Sequence, residues 1–195
     1  MKTITTPNIP LITEYLSQGR VVVLPTDTIY GLSCVIHQDS AVKKILEIKK
    51  RENKPLIILV ASIKMAQDYA HINDVQLKYL EKHWLHSTRP CSLILTKKKS
   101  VSDLVTAGQA NVALRLPKSE FLIKIIKQLD APLVSTSLNI SGEKHLENLE
   151  NLDKYLSLHG VGARPDLVYN AGEQRNQASQ VIDICDAPNI KILRK

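Results

Sequence analysis

Leu24-Pro25-Thr26-Asp27-Thr28-Ile29-Tyr30-Gly31-Leu32 is the stretch whose reading decides how this chain folds. It follows Arg20-Val21-Val22-Val23, a β-branched run of the kind that forms a buried strand. Pro25 ends that strand, because proline has no N–H to give to a ladder. Three oxygen-bearing side chains, Thr26, Asp27 and Thr28, therefore arrive just past a strand end, where open α/β sheets bind their ligands. Gly31 permits a turn or a close backbone approach that a side chain would block. A plain polar turn between two strands carries the same signature, so the decision needs the rest of the chain.

Working outward, helices and strands alternate. Pro10 to Gln18 reads as a first helix, with proline in the first turn and Gly19 after the end. Leu32 to Ile36 continues as extended chain. Asp39 or Ser40 is expected to cap a second helix that sets Val42, Ile45, Leu46 and Lys49 near one face, packs Ile45 and Leu46 inward and delivers Lys49 and Arg51 at its end. Leu56-Ile57-Ile58-Leu59-Val60 is continuously apolar, as central strands are. Ser62 caps a helix through Ala70, and Asn73 caps another with Leu77, Leu80 and Trp84 on one face. Ser92 to Thr96, Val112 to Leu116 and Pro132 to Ser135 read as strands, with a helix from Glu120 to Leu129 before the last. Asn148 to Leu158 is a late helix, and Leu167 to Tyr169, Gln180 to Ile184 and Lys191 to Arg194 are short terminal strands. Early alternation and late clustering of strands predict an α/β fold: one domain over residues 1–195, with a mixed parallel and antiparallel sheet flanked by helices.

Composition narrows the class. A chain of 195 residues suffices for one buried core. No apolar run approaches the roughly 20 residues that span a bilayer, and no leader pattern opens the chain, so no membrane contact is expected. Cys34, Cys91 and Cys185 are odd in number and widely separated, which fits reduced thiols and a cytoplasmic protein. The formal charge of +7 points to a polyanionic partner, nucleotide or RNA. Lys97-Lys98-Lys99 reads as a solvated turn, and scarce aromatics leave no base-stacking platform.

The usual nucleotide and hydrolase motifs are missing: no Walker loop, no dinucleotide fingerprint and no nucleophile elbow. His83 and His86 lack a third ligand nearby, so no metal site is expected. Lys49 and Arg51 at a helix end form a candidate anion clamp, an ammonium beside a guanidinium fork, with Lys54 as a possible addition. The same residues equally suit a helix dipole. Ser135-Thr136-Ser137-Leu138-Asn139-Ile140-Ser141-Gly142 follows a strand and offers Ser137, Asn139 and Ser141 to phosphate or a base edge. Arg115, set between apolar residues of a strand, must meet water or an anion, and a carboxylate suits it.

These pieces, in this order, resemble the YrdC/TsaC family of threonylcarbamoyl-AMP synthases. Pro25 to Leu32 is similar to that family's Pro-Thr-Glu-Thr-Val-Tyr-Gly-Leu, with Asp27 for glutamate. Lys49-x-Arg51 and Ser137-x-Asn139 match its signature pairs, and Leu114-Arg115-Leu116-Pro117 resembles its Val-Arg-x-Pro strand. Ala178-Ser179-Gln180-Val181-Ile182-Asp183 and Ile192-Leu193-Arg194 resemble its closing segments. Three departures stand out: Arg89 replaces a glycine, Leu138 replaces an alanine beside the presumed nucleotide, and Arg51 to Pro55 is one residue shorter.

The resemblance implies a twisted YrdC-like sheet around an open cavity, in the short, single-domain form. It implies condensation of L-threonine, bicarbonate and ATP to threonylcarbamoyl-AMP and pyrophosphate, serving modification of tRNA beside the anticodon. Thr28, Tyr30, Arg115 and Ser179 would hold threonine or its carbamate. Lys49, Arg51, Ser137, Asn139 and Arg194 would hold ATP, with Lys49 and Arg51 acting on the reacting phosphate. Magnesium would accompany ATP, held by phosphates and water. Expected partners are a downstream threonylcarbamoyl-transfer complex and, weakly, tRNA or other RNA. The alternative is a non-catalytic RNA-binding module of the same fold, acting in ribosome assembly.

Overall fold

The computed structural model describes residues 1–51 and 54–195. Ten strands form one sheet: β1 (Lys2–Ile4), β2 (Val22–Leu24), β3 (Gly31–Val35), β4 (Ile57–Leu59), β5 (Cys91–Thr96), β6 (Asn111–Arg115), β7 (Leu133–Ser137), β8 (Leu167–Tyr169), β9 (Gln180–Asp183) and β10 (Lys191–Arg194). Their spatial order is β1-β8-β2-β3-β7-β4-β6-β5-β9-β10. The pairs β1/β8, β2/β8, β4/β6 and β5/β9 are parallel, and the others antiparallel. The helices are α1 (Ile9–Ser17), α2 (Asp39–Lys49), α3 (Ile63–Gln67), α4 (Asp74–Leu80), α5 (Asp103–Thr106), α6 (Glu120–Leu129) and α7 (Leu152–Leu158), with a π-helical turn, Glu81–Leu85, prolonging α4. None of them is long and apolar enough to cross a membrane.

Successive side chains of a strand point to opposite faces, so a sheet covered on both sides reads as apolar at every position. Val22 and Leu24 pack with Ile12 and Leu16 of α1 and Leu122, Ile125 and Ile126 of α6. Val21 and Val23 join the other core, with Ile45 and Ile48 of α2, Leu80, Trp84, and Leu152 and Leu156 of α7. Leu59 and Ile58 divide in the same way, which is why the run from Leu56 to Val60 carries no polar residue.

The expected α6 is observed residue for residue, and Ser62 and Asn73 cap their helices as their side chains predict. Other ends shift. Gln38, without a side-chain cap bond, precedes α2, so neither Asp39 nor Ser40 is the cap. The α7 helix starts at Leu152, because Asn148 turns the chain by accepting the Glu150 N–H at 2.7 Å. The α3 helix stops at Gln67, short of Ala70. Strand β1 and the single turn α5 carry too few residues to show a period.

At the centre, Gly31 of β3 lies against small side chains of β7 and of the turn after β2. Gly31 lies opposite Ser137, and Ser33 opposite Ser135 with Oγ–Oγ at 3.1 Å. A Cβ on Gly31 would lie 2.5 Å from Ser135 Oγ and 3.3 Å from Thr26 Cγ2. Gly31→Ala should therefore lower stability in urea by about 1–3 kcal/mol, the usual cost of overpacking. Adding Ser135→Ala should recover part of that loss. An unchanged midpoint in the single variant would contradict the close approach.

Candidate active site

The strand ends and loops enclose a cavity of about 310 Å³. Its walls include Thr26, Thr28, Tyr30 and Gly31 from the β2–β3 connection, Arg51 and Pro55 past α2, and Arg115 from β6. Ser135, Thr136, Ser137 and Asn139, Glu143 to His145, Ser179 and Arg194 complete them. Eight of the nine residues expected to bind substrates line this one space, and Lys49 is the exception.

Arg51 is aimed by the end of α2. Lys50 adopts the left-handed conformation, with φ 47°, and the Arg51 N–H bonds back to Leu46 O at 2.9 Å. The chain thus turns away from the helix axis, and Arg51 Nη1 reaches Thr136 Oγ1 at 3.3 Å. Burial lowers the proton affinity of its guanidinium. The shortened segment expected from Arg51 to Pro55 includes Glu52 and Asn53, which lie outside the described residues. Lys54 is exposed, and its carbonyl accepts from Arg51 Nε at 3.3 Å.

Lys49 does not converge with Arg51 on the cavity. It is 1% exposed, and its ammonium lies under the loop after β7. Lys49 Nζ donates to Ser137 O, Asn139 O at 3.0 Å and Asn139 Oδ1 at 2.9 Å. Its own carbonyl accepts the Ser141 N–H at 2.8 Å. The Asn139 amide closes the loop by donating to Ile140 O and Glu143 O. Lys49 thus shapes the loop that carries Ser137 and Asn139. Burial, with the Arg51 charge adding, pushes the Lys49 ammonium down to about 7.

Arg115 is 5% exposed and sits at the other end of the residue set. Its Nη1 donates to Thr28 Oγ1 at 3.0 Å, and its Nη2 lies 3.3 Å from Asp27 Oδ1. Burial lowers its proton affinity, Asp27 opposes that effect and Arg194 adds to it. Thr28 Oγ1 also lies 2.8 Å from Thr26 Oγ1, which donates to Ile29 O and accepts the Thr28 N–H, so the turn is knotted around one hydroxyl. Arg194 Nε donates to Ser179 O at 2.7 Å, and Ser179 Oγ is 2.9 Å from Ser92 Oγ. Burial lowers the proton affinity of Arg194 as well.

Three expectations change in detail. Tyr30 is a residue of the cavity wall, but its side chain is fully buried in the core, and its hydroxyl accepts the Ala171 N–H at 2.9 Å and donates to Gly172 O, anchoring the loop after β8. Burial raises its pKa, with the Ala171 N–H working the other way. Leu138, just past the end of β7, is in the core, 1% exposed, in the same cluster as Val134, Ile45 and Ile48 and off the cavity wall. Lys97 is not a free solvated charge: it pairs with Asp103 and donates to Val101 O at 3.2 Å. Arg89 is exposed and lies outside the cavity wall.

Sequence reasoning placed Asp27 among the strand-end oxygens without giving it a role, and it assigned none to Thr136 or to Glu143 to His145. The two in the quoted stretches carried a signal, a carboxylate and a hydroxyl inside runs already singled out. The rim residues carried none beyond their place after the Ser-Gly turn. The thiols stand apart from the site chemistry. Burial pushes Cys34 up to about 12, Cys91 to about 11 and Cys185 to about 12, which keeps them protonated.

A family model described as telomere recombination, for Sua5, YciO and YrdC proteins, matches residues 14–195. The chain belongs to the Sua5/YciO/YrdC family. A Methanocaldococcus jannaschii relative is 33% identical over 177 residues, 89% of this chain and 79% of its own length. Threonylcarbamoyl-AMP synthase from Photobacterium profundum is 30% identical over 155 residues, 78% of this chain and 83% of that protein. The crystal structure of Pyrococcus abyssi Sua5 complexed with L-threonine matches with a TM-score of 0.81 at 27% identity, over 99% of this chain. This chain spans 56% of that Sua5 chain. The mixed sheet flanked by helices is therefore the Sua5/YciO architecture expected from the motifs.

The Lys49 site sets a pH test. Its folded pKa lies below the unfolded value of 10.5, so above about pH 7 the unfolded chain binds the extra proton. The stability contributed by this group therefore rises with pH across that window, by up to about 1.4 kcal/mol per unit. Chemical denaturation of wild type and Lys49→Met should show a gap that moves in favour of wild type between pH 7 and pH 9. A pH-independent gap would contradict the burial of this ammonium.

Proposed function

We propose that this chain is an L-threonylcarbamoyl-AMP synthase, joining L-threonine, bicarbonate and ATP and releasing pyrophosphate. The observation that carries this reading is one cavity with two differently equipped ends. One offers Thr28, Arg115 and Ser179, hydroxyls and a guanidinium suited to an amino-acid carboxylate and side chain, with Arg194, expected to hold ATP, bonded to Ser179 beside them. The other offers Arg51, Thr136, Ser137 and Asn139, suited to a polyphosphate. The names of the relatives support the synthase and not the RNA-binding alternative.

The threonine amine adds to bicarbonate with loss of water, giving a carbamate. A carbamate oxygen then attacks the α-phosphorus of ATP, and pyrophosphate leaves. The carbamate is already an oxygen nucleophile, so the step needs orientation and charge neutralisation more than a strong base. Arg51 would offset charge building on the phosphate. Lys49 acts through the loop, by fixing Ser137 and Asn139. An enclosed wall protects a carbamate and a mixed anhydride that water would destroy.

Magnesium enters as part of the MgATP substrate. Among the described residues no cluster of His, Cys, Asp and Glu forms a metal cage, and Glu143 is the single carboxylate on the cavity wall. That donor set fits an ion carried by phosphates and water. The proposed setting is the cytoplasm, with the product passing to a threonylcarbamoyl-transfer complex that acts on tRNA.

Incubation with ATP, bicarbonate and labelled threonine should yield a labelled adenylate and pyrophosphate; ATP consumption indifferent to threonine would refute the reading. Arg51→Ala should lower kcat/KM by about 2–4 kcal/mol, the range for one preorganised charge-stabilising donor. Near-normal turnover would return Arg51 to a helix-end cation. Thr28 and Ser179 facing the threonine hydroxyl should reject valine strongly, while serine, lacking one methyl, should lose only about 1–3 kcal/mol. Equal turnover of valine and serine would contradict that placement.

A further inference from the structure

We propose that Asp27 is a positioning residue that holds Arg115 by charge while leaving guanidinium N–H groups available to the carboxylate of the amino-acid substrate. The identity of that carboxylate as threonine's rests on the synthase reading. Asp27 and Arg115 side chains are each 6% exposed, so neither charge is answered by solvent. Their closest approach, Oδ1 to Nη2, is 3.3 Å, yet Asp27 Oδ1 and Arg115 Nε each lack a hydrogen-bond partner among the described residues. The contact is therefore Coulombic, without the alignment of a hydrogen bond. Arg115 Nη1 is committed to Thr28 Oγ1 at 3.0 Å and Nε is buried without a partner, while Nη2, on a residue of the cavity wall, makes no hydrogen bond among the described residues. A guanidinium is all donor, so what it lacks is an acceptor.

The carboxylate is itself fixed from behind. Asp27 Oδ2 accepts the Lys118 backbone N–H at 2.9 Å, and Lys118 Nζ donates to Trp84 O. One oxygen is thus anchored to the β6–α6 connection, and the other faces the guanidinium. Asparagine cannot do both. It has a single oxygen, so its NH2 must face either the Lys118 N–H or the Arg115 guanidinium, donor against donor. Asp27→Asn therefore keeps the volume and breaks the geometry, whereas Asp27→Glu keeps both oxygens and the charge.

In steady-state assays Asp27→Asn should raise the KM for threonine at least ten-fold and leave the KM for ATP within about two-fold. Asp27→Glu should bring the threonine KM back to within about three-fold of wild type. A threonine KM unchanged in Asp27→Asn, or both KM values raised alike, overturns the assignment. Calorimetry with threonine alone separates this inference from the synthase reading. A wild type that makes no adenylate fails that reading, while weaker threonine binding by Asp27→Asn still upholds the role of Asp27. Equal threonine affinity in the two proteins, or none in wild type, overturns it. If Asp27→Asn does not fold, the wild-type Arg115 Nε signal in ¹⁵N NMR decides: it should move with L-threonine and not with L-threoninol, which lacks the carboxylate. A signal unmoved by threonine overturns the inference.

Discussion

Two cations, Lys49 and Arg115, are buried in a protein whose sheet is packed on both faces, and the loops around the cavity are arranged by what those charges require. Removing an ion from water costs several kcal/mol unless polar groups replace the water. Lys49 is answered by oxygens of Ser137 and Asn139, and that requirement bends the chain after β7 into its loop. Arg115 is answered by Thr28 and Asp27, which the turn after β2 brings together. Each cation therefore locates a loop, and each loop brings hydroxyls to the cavity.

Lys49 and Arg51 are two residues apart and have separate duties. The helix ends between them. Lys49 still points with the buried face of α2, alongside Ile45 and Ile48, while the left-handed Lys50 turns Arg51 back across Thr136. A charged pair at a helix end reads in sequence as one clamp. The backbone reversal makes it a strut and a cavity-facing guanidinium.

Much of the fold was legible because its cause is local. Buried strands read as apolar runs, Pro25 and Gly19 mark ends, and Ser62 and Asn73 cap with their own side chains. What escaped depends on partners distant in the chain. Strand β1 exists because β8 lies beside it, and α7 begins late because Asn148 spends its side chain on a turn. The site divides likewise. Residue type was legible for Thr28, Arg51, Arg115, Ser137, Asn139, Ser179 and Arg194. Depth was not. Lys49, Leu138 and the Tyr30 hydroxyl turn inward because of packing that only the assembled sheet defines, and Lys97 finds Asp103 across a loop.

The formal charge of +7 takes on a more specific meaning once depth is known. Arg51, Arg115, Arg194 and Lys144 line the cavity against the carboxylate of Glu143, with Asp27 beside Arg115. Burial lowers the proton affinity of all three guanidiniums, Arg194 further lowers that of Arg115, and Arg51 that of Lys49. Arg115 and Lys49 are buried, so the repulsion each meets from Arg194 and Arg51 is screened little, whereas Arg194 and Lys144 reach solvent. Asp27 faces Arg115 and Glu147 pairs with Lys144, while Arg51 and Arg194 meet no carboxylate among the described residues. An anion placed beside Arg51 and Arg115 would therefore relieve repulsion already built into the fold. A basic surface spread over solvent-screened lysines would gain little in this way, whereas guanidiniums set in one wall gain most from a ligand carrying charge at both ends.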